Sequence, residues 1–123
     1  MTLHVNSLTI DSGDPKALAE WWAVALDWKI VAVDDDEDVW IAPGTDRSEF
    51  PGAIPFLFLA APDEKTTKNR LHLDLVPGDR DAEVARLEGL GAARVDIGQG
   101  DVSWVVMADP EGNEFCVLRS HEG

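Results

Sequence analysis

One order of elements runs through this sequence twice, at an interval of 65 residues, and that repeat leaves few folds open. The interval superposes Leu8 on Leu73, Ile10 on Leu75 and Gly13-Asp14 on Gly78-Asp79. Each copy reads as a strand, a helix and three further strands, which is the pattern of an internal duplication. The expected fold is therefore α+β: two βαβββ modules, about 1–62 and about 69–119 of one domain, forming an eight-stranded, cup-shaped mixed sheet with two helices. A sheet covered by a helix on one face keeps its other face free to enclose something, so the functional site is expected in a cavity between the modules.

The elements follow from local signals. Leu3 to Asp11 alternates and predicts a strand, ending at Ser12-Gly13-Asp14. Asp14 at the N-cap and Pro15 at the first helical position begin a helix whose buried stripe is Ala17, Leu18, Trp21, Trp22, Ala25 and Leu26. Strands are predicted at about 28–34, 38–42 and 54–61, with the acidic Asp34-Asp35-Asp36-Glu37-Asp38 as a solvated hairpin tip. In the second copy a strand at about Arg70–Val76 precedes a helix through Val84, Leu87 and Leu90, closed by Gly91. Strands at about 93–97, 102–108 and 113–119 complete it, the last two joined by the turn residues Asp109-Pro110-Glu111-Gly112-Asn113.

Composition narrows the partners. The chain has 123 residues, room for one core but not for two independent domains. Its 24 acidic against 10 basic residues give a formal charge of −14, which repels phosphate backbones and anionic headgroups. Nucleic acid and membrane surfaces are thus excluded as expected partners, leaving a small-molecule ligand. The single cysteine, Cys116, permits no internal disulfide, and the N-terminal residues lack a leader pattern. Both features lead to an expected cytoplasmic location.

Strand alternation nominates the residues that face the cavity. In Arg70-Leu71-His72-Leu73-Asp74-Leu75 the leucines are expected against the helix, and His72 and Asp74 on the other face. In the last strand Phe115 and Val117 suit the helix side, so Glu114 and Cys116 point inward. Ser7 is the first-module counterpart of His72. Trp21 and Trp22 fit the helix stripe, whereas Trp40 and Trp104 fall on mid-sheet strands and are candidates to touch a ligand. A buried free cysteine usually behaves as a small hydrophobe, which is the plain reading of Cys116.

Several of these stretches resemble one family. Asp109-Pro110-Glu111-Gly112-Asn113-Glu114-Phe115 looks like the closing DPxGN motif of the glyoxalase/bleomycin-resistance/dioxygenase, or vicinal oxygen chelate, superfamily. Gly13-Asp14-Pro15 leading to Trp21-Trp22 and Leu26 resembles its first helix, and Lys68-Asn69-Arg70-Leu71-His72-Leu73-Asp74-Leu75 is similar to its glyoxalase-like branch. The resemblance implies a homodimer and, in metal-dependent members, four ligand positions. These fall on Ser7 (or Asn6 if the register shifts by one), on a fourth-strand position within 54–59, on His72 and on Cys116. Ile54-Pro55-Phe56-Leu57-Phe58-Leu59 offers no metal donor, and about three protein ligands are needed for a stable catalytic ion.

The expected function is therefore metal-independent binding of a small molecule, of the resistance or sequestration type, with no cofactor and with Ser7, Trp40, Trp104 and Cys116 against the ligand. The alternative is a lyase or isomerase in which His72 acts as general base, or as the one remaining metal ligand, with Asp74 or Glu114 as the catalytic partner that sets its protonation state. Imidazole suits proton abstraction at neutral pH. A residual metal set of His72, Glu114 and Cys116 ranks behind both, because residues 114 and 116 would have to converge on one ion.

Overall fold

Asp14 and Asp79 start the two helices in the same way. In the computed structural model, which describes residues 3–62 and 64–120, helix α1 spans Pro15–Leu26 and helix α2 spans Arg80–Gly89. The Asp14 carboxylate accepts from the Ala17 backbone N–H at 3.1 Å, and Asp79 accepts from Ala82, also at 3.1 Å. Each bond satisfies a first-turn donor with no partner inside the helix, worth about 1 kcal/mol. At the other end of α1, Asp27 adopts a left-handed conformation with φ 56°, and the Trp28 N–H reaches back to the Ala23 carbonyl at 2.8 Å. Gly91, at φ +110°, follows α2 as its sequence position predicts, in a conformation that a side chain would strain.

The chain divides into two units, 1–64 and 65–123, and each holds one four-stranded mixed sheet. The first contains β1 (Leu8–Ser12), β2 (Lys29–Val33), β3 (Val39–Ala42) and β4 (Phe56–Ala60), in the order β1-β4-β3-β2. The second contains β5 (Leu73–Leu75), β6 (Ala93–Arg94), β7 (Val105–Ala108) and β8 (Glu114–Val117), in the matching order β5-β8-β7-β6. In each unit the opening strand runs parallel to the closing strand, and the remaining pairs are antiparallel. The α+β class and the repeated βαβββ order are thus as expected, with the eight strands shared between two sheets.

Helix α1 covers the first sheet with Leu18, Ala19, Trp22 and Ala23, all buried, and meets Val39, Ile41, Phe56 and Phe58. The Trp22 ring lies 6.3 Å from Phe56, and Trp28 closes on the same ring at 5.0 Å. The stripe is one residue out from the predicted one: Ala17 is exposed and Trp21 only half-buried, edge-on to Trp22 at 5.1 Å. Two adjacent tryptophans cannot share the inner face, and the alanines at 19 and 23 let the helix approach the sheet closely. In the second unit Val84 and Leu87 of α2 are buried, as are Phe115 and Val117 of β8, while Leu90 lies past the helix and stays exposed.

Several strands are shorter than their alternation predicts. Residues 3–7 lie outside β1, Leu71 lies outside β5 and is exposed rather than packed on the helix, and β7 begins at Val105, after Trp104. A strand ends where its partner's backbone ends. β1 pairs only with the five residues of β4, and β5 with Phe115, Cys116 and Val117.

The turn between β7 and β8 is organised by Asp109, which is 4% exposed. Its Oδ1 accepts from the Glu111 N–H at 2.9 Å and the Asn113 N–H at 3.0 Å, and its Oδ2 accepts from Asn113 Nδ2 at 3.2 Å. Gly112 takes φ +88° to complete the loop. An Asp109→Ala variant leaves these part-buried donors without their acceptor and is expected to lose about 1–2 kcal/mol of stability, read from urea unfolding midpoints.

Candidate functional site

The pairing of β3 with β4 divides their side chains between two faces. Val39 and Ile41 turn to α1, which leaves Trp40 on the opposite face, half-buried. There it lines a cleft of about 290 Å³ together with Asn6, Val31, Thr45, Phe50 and Pro55, all from the first unit. The wall is close-fitted at one point. A Cβ added at Gly44 would lie 2.8 Å from the Phe50 ring, so glycine there allows that ring to close on the backbone. Apolar and aromatic walls with a few polar groups are the usual make-up of a small-molecule pocket. No His, Cys, Asp or Glu stands among the described residues that line this one.

A second group forms in the other unit. Parallel pairing of β5 with β8 sets Asp74 beside Cys116, and His72 stands just before β5. His72 Nε2 lies 3.1 Å from Asp74 Oδ1, with both side chains well exposed. The donor atoms of His72, Asp74 and Cys116 lie within 4.8 Å of one another. Cys116 is buried beneath this pair. Burial pushes its thiol up from the ordinary value; the Asp74 charge and the hydrogen bond Asp74 accepts from the thiol push the same way, against the weaker pull of Lys68. Such a thiol stays protonated at neutral pH and is a poor nucleophile by itself.

Glu114 has a different setting. Its Oε2 accepts from Lys65 Nζ at 2.8 Å and its Oε1 from the Asn69 backbone N–H at 2.8 Å, with 13% of the side chain exposed. Burial pushes its carboxyl up, but the bonds from Lys65 and Asn69 outweigh this and hold it below the usual carboxylate range. Glu114 therefore ties the segment around Lys65–Asn69 to β8. The structure brings His72, Asp74 and Cys116 together and holds Glu114 on these other partners.

Ser7 lies just before β1, as His72 does before β5, with its Oγ 3.3 Å from Thr9 Oγ1; its neighbour Asn6 lines the cleft. Trp104 is 39% exposed and precedes its strand. The acidic run is the turn between β2 and β3, where Asp34 Oδ1 accepts from the Asp36 and Asp38 N–H groups. Phe50 and Thr45 of the cleft, and Lys65 and Asn69 beside Glu114, carry no sequence signal of their roles, since loop closure alone brings them in.

Of the ligand positions implied by family resemblance, 54–59 holds no donor, and Ser7 belongs to the first unit. The trio in the second unit does fit a divalent ion, because an imidazole, a carboxylate and a thiol are all zinc-type donors within one small volume. The expected absence of a cofactor therefore does not follow from the fold.

Both units thus repeat the βαβββ order, with a cleft in the first and a compact donor set in the second. The family profile described as "Glyoxalase-like domain" matches residues 7–118, and the chain belongs to that family. No curated protein matches the chain. Among solved structures it is similar to a glyoxalase/bleomycin resistance protein/dioxygenase family enzyme from Burkholderia phytofirmans PsJN, with TM-score 0.71, 14% identity and coverage of 94% of this chain and 97% of that one. It is also similar to a mutant of the fosfomycin resistance protein FosX from Listeria monocytogenes complexed with Mn(II) and 1S,2S-dihydroxypropylphosphonic acid, with TM-score 0.68, 10% identity and coverage of 98% and 92%. A third similar structure is TnmS3, an antibiotic binding protein from Streptomyces sp. CB03234, with TM-score 0.61, 16% identity and coverage of 98% of each chain. At these identities the likeness is one of fold.

Because its folded-state pKa is lowered, Glu114 stabilises the fold above its unfolded value near 4.5, and that stabilisation is lost as pH falls through the folded value. Glu114→Gln is expected to be less stable than the parent at neutral pH, with the gap in urea midpoints closing as the solution is acidified below about pH 4.

Proposed function

We propose that this chain is a small-molecule-binding member of the glyoxalase-like family, of the sequestration or resistance type, and that its ligand enters the first-unit cleft against Trp40 without needing a metal. The observation that carries this reading is the cleft itself, with aromatic walls from Trp40 and Phe50 and polar groups from Asn6 and Thr45. Its described lining is uncharged, which suits a neutral organic molecule with an apolar body. TnmS3, an antibiotic binding protein, lends the reading a precedent on the same fold. Ser7, Trp104 and Cys116 lie outside the cleft lining, so Trp40 carries most of the proposal.

The same reading puts the protein in the cytoplasm as a homodimer, with neither nucleic acid nor membrane as partner. The lone cysteine supports the location and the charge of −14 the partners, while the homodimer rests on family resemblance. Among the described residues no helix is long and apolar enough to cross a membrane.

The test is a screen of antibiotics and other drug-like molecules by tryptophan fluorescence and calorimetry. A binder should be recovered chemically unchanged, and Trp40→Ala should weaken it by roughly tenfold or more, the scale expected for a buried aromatic anchor. Turnover of the bound molecule, or unchanged affinity in Trp40→Ala, would overturn the reading.

One observation favours a second reading, a lyase or isomerase with His72 as base: Asp74 lies 3.1 Å from His72 Nε2 and can orient the imidazole. In that case His72→Ala should lower kcat by about a hundredfold or more in any reaction the protein catalyses, the usual contribution of a general base, and an unchanged kcat would remove His72 from the mechanism.

A further inference from the structure

We infer that the loop joining β3 to β4 sets the size of ligand that the first-unit cleft accepts, on the reading that this cleft is the ligand site, and that Phe50, seated on Gly44, restricts it to neutral molecules of one or two rings.

The two units close their last hairpin differently. Residues 43–55, thirteen in all, join β3 to β4, whereas residues 109–113, five in all, join β7 to β8. Both pairs are antiparallel neighbours, which a two-residue turn can connect. The first loop is thus far longer than closure requires, and a loop of that length in a compact domain usually carries function. Six of the eleven described residues that line the cleft belong to it, among them Gly44, Thr45 and Phe50. The short turn at Asp109 has no length from which to build such a wall.

The loop is held in shape from within. Asp46 Oδ1 accepts from the Ser48 N–H at 3.0 Å and from the Ser48 hydroxyl at 2.6 Å. The Glu49 N–H donates to the Asp46 carbonyl at 3.1 Å, and the Ala53 N–H to the Phe50 carbonyl at 3.0 Å. Among the described residues no backbone hydrogen bond joins 44–54 to the sheet; the Pro55 carbonyl, accepting from the Leu8 N–H at 3.0 Å, makes the first. Side-chain packing therefore has to bring Phe50 back over the cleft. Gly44, two residues past β3, supplies the seat: a Cβ there would lie 2.8 Å from the ring. Gly44 has no positive φ, so the missing side chain serves this close approach and not the backbone.

Trp40, by contrast, is a fixed floor, paired with Ala32 of β2 on one side and Leu57 of β4 on the other. With Phe50 on its seat the cleft measures about 290 Å³, at the small end of the roughly 300–1,000 Å³ range of ligand pockets. A molecule of one or two rings fills that space, and a larger one has to displace Phe50 from Gly44. The uncharged lining restricts the choice further to neutral molecules, since nothing described there would compensate the loss of an ion's hydration.

The test compares two neutral probes, coumarin, with two fused rings, by calorimetry and Nile red, with four, by its emission, counting only binding that Trp40→Ala weakens. The parent should take one coumarin per chain and bind Nile red more weakly. Phe50→Ala should weaken coumarin and strengthen Nile red, each by roughly tenfold, the scale of one aromatic anchor, with Phe50→Leu falling between. Gly44→Ala should also weaken coumarin, because the ring loses its seat, yet change nothing further in a Phe50→Ala background, because it acts through that ring alone. Nile red binding the parent as tightly as coumarin, the two affinities moving together or not at all in Phe50→Ala, or the same effect of Gly44→Ala with and without Phe50 would overturn the inference while leaving the cleft reading in place. Absence of any Trp40-dependent binding of either probe by the parent would overturn both.

Discussion

The structure depends on one pairing made twice: the strand that opens each unit lies parallel to the strand that closes it. Parallel neighbours cannot be joined by a tight turn, so the helix and the two intervening strands must be laid down before the ladder closes. This explains why each unit is a βαβββ module with the sheet order β1-β4-β3-β2 or β5-β8-β7-β6. It also places chemistry. Residues 42 apart in the chain, Asp74 and Cys116, become lateral neighbours because β5 meets β8 in that register.

What could be read in the sequence was local. Asp14, Pro15 and Asp79 act within one turn of themselves, so the helix starts are legible, as is the turn at Asp109–Asn113, where the aspartate binds residues two and four positions on. The 65-residue interval is legible for the same reason: β1 and β5, like α1 and α2, begin 65 residues apart. Strand lengths were less so, because Leu3–Ser7 and Leu71 keep the alternation but have no ladder partner to extend them.

The candidate site was legible only in part. Alternation puts His72 and Asp74 on one face, but it cannot say that Asp74 rather than Glu114 joins Cys116. That depends on Lys65, which lies 49 positions from Glu114 and holds it elsewhere. Trp40 could be named from its strand, whereas Phe50 could not, since its place against Gly44 is set by the closure of a loop. The two units differ accordingly: the first has an uncharged aromatic cleft, and the second sets an imidazole and a thiol beside a carboxylate. Nothing in the 65-residue repeat requires that division, which arises where the copies differ, at Ser7 against His72, Thr9 against Asp74 and, in the matching register of the closing strands, Leu57 against Cys116.

The most direct test of the account is native mass spectrometry of the tag-free protein with a binder from the ligand screen, before and after treatment with a strong chelator. The account predicts one intact, unmodified ligand molecule per chain in both conditions, with any zinc removed by the chelator and the ligand retained. Loss of the ligand along with the metal, or appearance of a product mass in its place, would contradict a metal-independent binding function and make the trio at His72 the centre of the chemistry.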